Sequence, residues 1–184
     1  MSSVSPTLRT TATSKLITLA AGCFWGVERV FAKQLKGKGL VDVKVGYANG
    51  YENVSKVNYE VVCSGKAKYV ESIQLSYEPS QLKLEEILKL FFLMHDPTTV
   101  DKQGNDIGIQ YRSAIYYHYP QENEIAEKVK QEMNKIWYPK DKIATIIEPI
   151  KVWVDAEDYH QEYLDKNPNG YHCSTHFIRT TPKV

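Results

Sequence analysis

Lys15-Leu-Ile-Thr-Leu-Ala-Ala-Gly-Cys-Phe-Trp-Gly26 decides how the chain is read. Leu16–Ala20 reads as a short buried strand, and Gly22 breaks it. From Trp25 the apolar positions Val27, Val30, Phe31 and Leu35 recur at helical spacing until Gly37 and Gly39. A buried strand therefore runs directly into an amphipathic helix, and Cys23 sits at the junction. Gly22 allows a sharp turn and keeps the approach to the sulfur open, while Gly26 allows close packing of the first helical turn.

Outward from this unit, Val41, Val43, Val45 and Tyr47 alternate as in a half-buried strand. Tyr69–Tyr77 predicts another, with Ile73, Leu75 and Tyr77 on one face. Leu82–Met94 predicts a helix that stops before Pro97, and Thr98–Gln110 a polar loop. Ser113–His118 reads as a strand, Gln121–Ile136 as an amphipathic helix, and Ile143–Ile147 as a β-branched strand. Val152–Leu164 reads as a strand start followed by a short helix from Ala156, and Asp165–Val184 as irregular. Strands and helices mix without strict alternation. The expected fold is an α/β (α+β) two-layer sandwich, a mixed sheet with packed helices and an irregular C-terminal segment.

A chain of 184 residues suits one domain with its own core. The formal net charge of +1, with acids and bases interspersed, gives no electrostatic case for nucleic acid or membrane. No apolar run has the length of a membrane span. Residues 1–14 are Ser- and Thr-rich with one Arg and no acid. That composition resembles a weak transit peptide, but the stretch is short, and a disordered tail ahead of a catalytic domain over 15–184 is expected. With no apolar signal-peptide core, the expected compartment is the cytosol. Three cysteines spread along the chain do not make a disulfide framework, so each is either buried filler or chemistry.

The chemistry case is strongest for Cys23. The free N–H groups and dipole at a helix start favour an anion, which can draw a thiol pKa from about 8.5 toward roughly 3.5–7.5. Phe24 and Trp25 point in different directions, so one at least is free to wall a pocket beside the sulfur. Such a pocket suits a small apolar group or a sulfur atom.

Gly22-Cys23-Phe24-Trp25-Gly26 resembles the active-site motif of the A-class peptide methionine sulfoxide reductases. The similarity continues through Gly46-Tyr47, Tyr59-Glu-Val-Val-Cys-Ser-Gly65, His95-Asp-Pro97, Gln103-Gly-Asn-Asp106 and Gln110-Tyr-Arg-Ser113. Glu157-Asp-Tyr-His-Gln161 and Asn167-Pro-Asn-Gly170 complete it, over about residues 15–177. The resemblance implies reduction of methionine-S-sulfoxide, free or in peptides, with Cys23 as nucleophile. It implies Glu71 as general acid, Tyr59 and Tyr111 as hydrogen-bond donors to the oxygen, and Asp106 as a residue shaping the site. Phe24 and Trp25 would hold the substrate methyl. Cys173, in a C-terminal stretch read as flexible, matches the family's resolving cysteine, here with His172 inserted after Tyr171. A Cys23–Cys173 disulfide would then be presented directly to thioredoxin, since no cysteine follows within 174–184. The implied partners are thioredoxin, oxidised proteins and free methionine sulfoxide. The chain is expected to be a monomer with no bound cofactor and no metal. Cys63 matches a non-catalytic position and is read as structural.

The residues alone leave other readings open. Glu71 also fits an exposed charge at a strand start, and Asp106 in Gly104-Asn-Asp-Ile-Gly108 fits a turn. Thirteen tyrosines do not single out Tyr59 and Tyr111. A cysteine hydrolase with His160 as base, or a metal-binding module on His172, Cys173 and His176, are rival functions.

Overall fold

In a computed structural model, which describes residues 2–183, the opening strand runs over Lys15–Ala21 (β1) and leads into a helix, Phe24–Leu35 (α1). Strand β2 (Leu40–Ala48), a short helix α2 (Tyr59–Cys63) and strand β3 (Val70–Tyr77) follow. Next come helix α3 (Leu84–Met94) and two-residue strands β4 (Lys102–Gln103) and β5 (Asp106–Ile107), which pair as a small hairpin. Strand β6 (Ser113–Tyr117), helix α4 (Glu122–Trp137), strands β7 (Ile146–Pro149) and β8 (Trp153–Asp155), and helix α5 (Tyr163–Lys166) complete the chain. Single 3-10 turns lie at Ile109–Tyr111 and Asp158–His160.

Six strands form one sheet in the order β7-β6-β1-β3-β2-β8. Among the described residues only the β6–β7 pair is parallel, and α4 supplies the crossover between them. The sheet is mixed and helices pack on it, as expected. On one face Ile17, Leu19, Val45, Tyr47, Ile73 and Leu75 meet Phe31 of α1 and Leu88, Phe91 and Phe92 of α3. Each such fully buried side chain contributes roughly 1.5–3 kcal/mol.

The second face is partly polar. Thr18, Ser72, Gln74 and Ser76 are buried there beside Ala20, Ala114, Tyr116 and Trp153. Residues 2–14 lie across it, where a disordered tail was expected. The Ser5 amide donates to Gln74 Oε1 at 2.8 Å, and Gln74 Nε2 donates to Ser3 O at 3.2 Å and Thr18 Oγ1 at 3.0 Å. Trp153 N donates to Ser2 O at 2.8 Å, and Thr7 Oγ1 to Asp155 Oδ2 at 2.7 Å. The physical reason is polar satisfaction: a buried glutamine amide left without partners costs about 1–3 kcal/mol, and this segment supplies them.

Three other local differences have local causes. A bulge after Leu40 breaks the alternation of β2, so Leu40 rather than Val41 shares the core face with Val43. Strand β7 pairs over Ile146–Pro149 rather than Ile143–Ile147, because the Ile143 and Ala144 amides are engaged by Asn134 Oδ1 and Pro97 O. Helix α2 is one turn long and capped by Asn58 Oδ1, which accepts from Val61 N at 2.9 Å, too short to leave a periodic signal.

Candidate active site

The turn between β1 and α1 builds the site. Gly22 adopts φ +88°, and Cys23 becomes the residue that caps α1. The Phe24 amide, one of the free donors of the first turn, donates to Glu71 Oε2 at 3.1 Å. Glu71 lies on the helix-facing side of β3, paired across the ladder with Tyr47, and is 1% exposed. A cavity of about 200 Å³ opens here, lined by Cys23, Phe24, Trp25, Tyr59, Glu71, Asp106, Tyr111 and Tyr171. Tyr59 comes from the start of α2, Asp106 from β5 and Tyr111 from the end of a 3-10 turn. Seven residues singled out in the sequence thus meet in one pocket, although they span positions 23 to 111.

Burial, and next the Asp106 charge, push the Glu71 carboxyl up to about 8, against the lowering effect of the Phe24 N–H. Glu71 is therefore buried and protonated at neutral pH, and the alternative of an exposed strand-start charge is not what the fold provides. Burial also raises the hydroxyls of Tyr59 and Tyr111, keeping both as neutral donors. The Cys23 thiol moves opposite to the expectation from its helix start. Burial, and then Glu71 once it ionises above about pH 8, push it well above the usual thiol range, and the backbone N–H of Trp25 offsets only part of this. A helix terminus stabilises an anion by at most about 2 kcal/mol, less than the cost of desolvating a thiolate in an apolar pocket.

The aromatic wall is anchored from the far end of the chain. Trp25 stacks on Tyr163 with ring centroids 3.8 Å apart, and its indole N–H donates to His160 Nδ1 at 3.0 Å. His160 Nδ1 is consequently an acceptor, and its Nε2 faces Glu157 Oε2 at 3.4 Å. Glu157 also accepts from the Tyr59 amide and the Tyr47 hydroxyl, each at 2.9 Å. Both ring nitrogens of His160 are thus turned to Trp25 and Glu157, and neither addresses the Cys23 thiol as a hydrolase base would.

The family model described as "Peptide methionine sulfoxide reductase" matches residues 15–184. The chain belongs to the peptide methionine sulfoxide reductase family. The peptide methionine sulfoxide reductase of Saccharomyces cerevisiae is 50% identical over 174 residues, 91% of this chain and 92% of that one. The crystal structure of Mxr1 from S. cerevisiae in reduced form superposes with a TM-score of 0.92 at 47% identity, covering 97% of this chain and 99% of that chain. Mxr1 in complex with Trx2 gives a TM-score of 0.68 at 35% identity, with coverage of 97% and 99%.

In this reductase-family chain Cys173 lies beside the pocket rather than in its lining. Its sulfur is buried, donating to Gln103 O at 3.7 Å and lying 3.2 Å from Thr175 Oγ1. Cys23, Cys63 and Cys173 are all free thiols. Cys63 sits against the Tyr59 and Tyr111 side chains. His172, Cys173 and His176 turn to Pro168 O, Gln103 O and Ala21 O respectively, so the three do not converge as a ligand set. Sequence reasoning missed Tyr171, whose hydroxyl lies 3.0 Å from both Asp106 carboxylate oxygens and closes the pocket. It also missed the anchoring roles of Glu157, His160 and Tyr163. The Gly170-Tyr171 pair was the available signal for Tyr171. The others show no spacing signal, because they lie on or beside single-turn elements too short to carry a period.

Proposed function

We propose that the domain over 15–184 reduces methionine-S-sulfoxide, free and in proteins, to methionine through Cys23, with thioredoxin as the external reductant. The substrate methyl lies against Phe24 and Trp25. Tyr59 and Tyr111 donate hydrogen bonds to the sulfoxide oxygen, and Glu71 delivers the proton that this oxygen takes. Cys23 gives up its own proton as its sulfur attacks, and that proton restores the Glu71 carboxyl, so the step needs no net proton from solvent. Methionine leaves and Cys23 carries the hydroxyl as a sulfenic acid. The Cys173 thiol then attacks Cys23, water leaves, and a Cys23–Cys173 disulfide forms. A dithiol reductant of the thioredoxin class returns both thiols. The solved complex of the homologous Mxr1 with Trx2 supports that choice of reductant.

The observation that carries this reading is the buried, protonated Glu71 joined through the Phe24 N–H to the helix start that bears Cys23. A hydrolase needs a base there; sulfoxide reduction needs an acid. The cellular role that follows is repair of oxidised proteins, with the cytosol as the proposed compartment. Among the described residues no helix is long and apolar enough to cross a membrane. Steady-state turnover of each sulfoxide epimer with reduced thioredoxin tests the reading. The S epimer should be consumed, the R epimer should not, and Cys23→Ser should show no turnover. Equal use of both epimers, or an active Cys23→Ser variant, would refute it.

A further inference from the structure

The chain beyond Cys173 is docked, and one side chain keys it in place. His176 packs against the start of α1 so closely that a Cβ on Gly26 would lie 2.3 Å from its Nδ1. A Cβ on Gly22 would lie 3.4 Å from its Nε2. The two glycines around Cys23 and its aromatics therefore make room for this imidazole as well as for the sulfur. His176 Nε2 donates to Ala21 O at 2.7 Å, the last residue of β1, and Nδ1 is buried with no hydrogen-bond partner. The ring is selected by shape and one hydrogen bond. Its amide closes a turn on Cys173 O at 3.1 Å, so the docked ring and the Cys173 backbone move together. The other sides of this turn are also held. Thr175 Oγ1 donates to Gln103 Oε1 at 2.5 Å, and a Cβ on Gly104 would lie 3.3 Å from Cys173 Sγ. The Arg179 amide donates to Leu93 O at 3.0 Å.

We propose that His176 is the positioning residue of the resolving step, fixing the 173–176 turn against the start of α1 so that Cys173 meets oxidised Cys23 from a prepared position. The inference rests on the reading of Cys173 as resolving thiol. His176 touches neither substrate nor the reacting sulfurs; it acts through the turn. Without it, Cys173 becomes a thiol on a flexible tether, and its effective concentration at Cys23 falls. A loss of about tenfold or more in disulfide formation is expected from losing a fixed geometry.

The test is a rapid-quench single turnover of pre-reduced wild type, His176→Ala and His176→Gln with methionine-S-sulfoxide and no added reductant. Methionine, dimedone-trapped sulfenic acid and the Cys23–Cys173 disulfide are counted in the same samples. All three proteins should release methionine at the wild-type rate, which also shows that each is folded. In His176→Ala the sulfenic acid should accumulate and the disulfide form at least about tenfold more slowly. His176→Gln keeps both bulk and an N–H near the Nε2 position and should recover most of the rate. A wild-type disulfide with an unchanged rate in His176→Ala would overturn the positioning role alone. No Cys23–Cys173 disulfide in the wild type would overturn the resolving-thiol reading, and this inference with it.

Discussion

A carboxyl buried at the start of β3 and facing a second acid holds its proton up to about pH 8. At the residue scale this converts Glu71 from a charge into a donor. The linkage has a definite sign. The folded value lies above the ordinary 4.5, so this group's contribution to stability is complete below about pH 4.5 and is lost as pH rises through about 8. Glu28 adds a contribution of the same sign, because burial raises it to about 7. Glu71→Gln should keep an acceptor for the Phe24 N–H while removing the proton proposed to reach the sulfoxide oxygen. Turnover should fall by roughly 10²–10⁴. Stability at pH 8–9 should rise by about 1–3 kcal/mol over the wild type, read from urea unfolding. Wild-type turnover itself should decline above about pH 8. A variant that keeps its activity, or a flat alkaline profile, would remove Glu71 from the proton-donor role. Of these residues, Cys23 was legible because a thiol between glycines at a strand–helix junction is unusual. Tyr59, Asp106 and Tyr111 were not, since each sits at the end of a one-turn element or in a turn, where spacing carries no information. They were reached through resemblance. The direction of the Cys23 shift was misread because a sequence displays the helix start but not the depth of burial.

At the element scale, periodicity located β1, β3, α1, α3 and α4, because each buries one continuous face. It failed where another element intervenes: at the β2 bulge, at the shifted β7, and at α2, whose cap rather than its apolar pattern defines it. The junction between β1 and α1 is where fold and chemistry share residues. Gly22 has a left-handed φ of +88°, and an added Cβ would meet Gln103 Cβ at 2.6 Å. Gln103 in turn joins the Asp96 amide at 2.9 Å to the Thr175 hydroxyl at 2.5 Å. Gly22→Ala should therefore destabilise the protein by about 1–3 kcal/mol through strain and overpacking. It should slow disulfide formation as well, by displacing β4 from the turn that carries Cys173. An unchanged urea midpoint would show that this junction has more room than its geometry indicates.

At the scale of the whole molecule, the two ends of the chain cover opposite parts of the sheet. Residues 2–14 satisfy the polar second face through Gln74, and residues 171–179 close over the pocket and the start of α1. Neither covering was legible, because both segments are irregular and their contacts are to distant residues. Ser and Thr, read as the composition of a tail, serve as short hydrogen-bonding arms. Deleting residues 2–14 should lower stability by roughly 1–3 kcal/mol, from the loss of partners at Gln74, with the pocket chemistry retained. A truncated chain with an unchanged unfolding midpoint would mean that this covering contributes nothing. The pocket's chemistry is tested by methionine yield in a single turnover of pre-reduced protein with each sulfoxide epimer, without added reductant. About one equivalent of methionine is expected from the S epimer, none from the R epimer, and a new Cys23–Cys173 disulfide. No methionine from either epimer would contradict that chemistry.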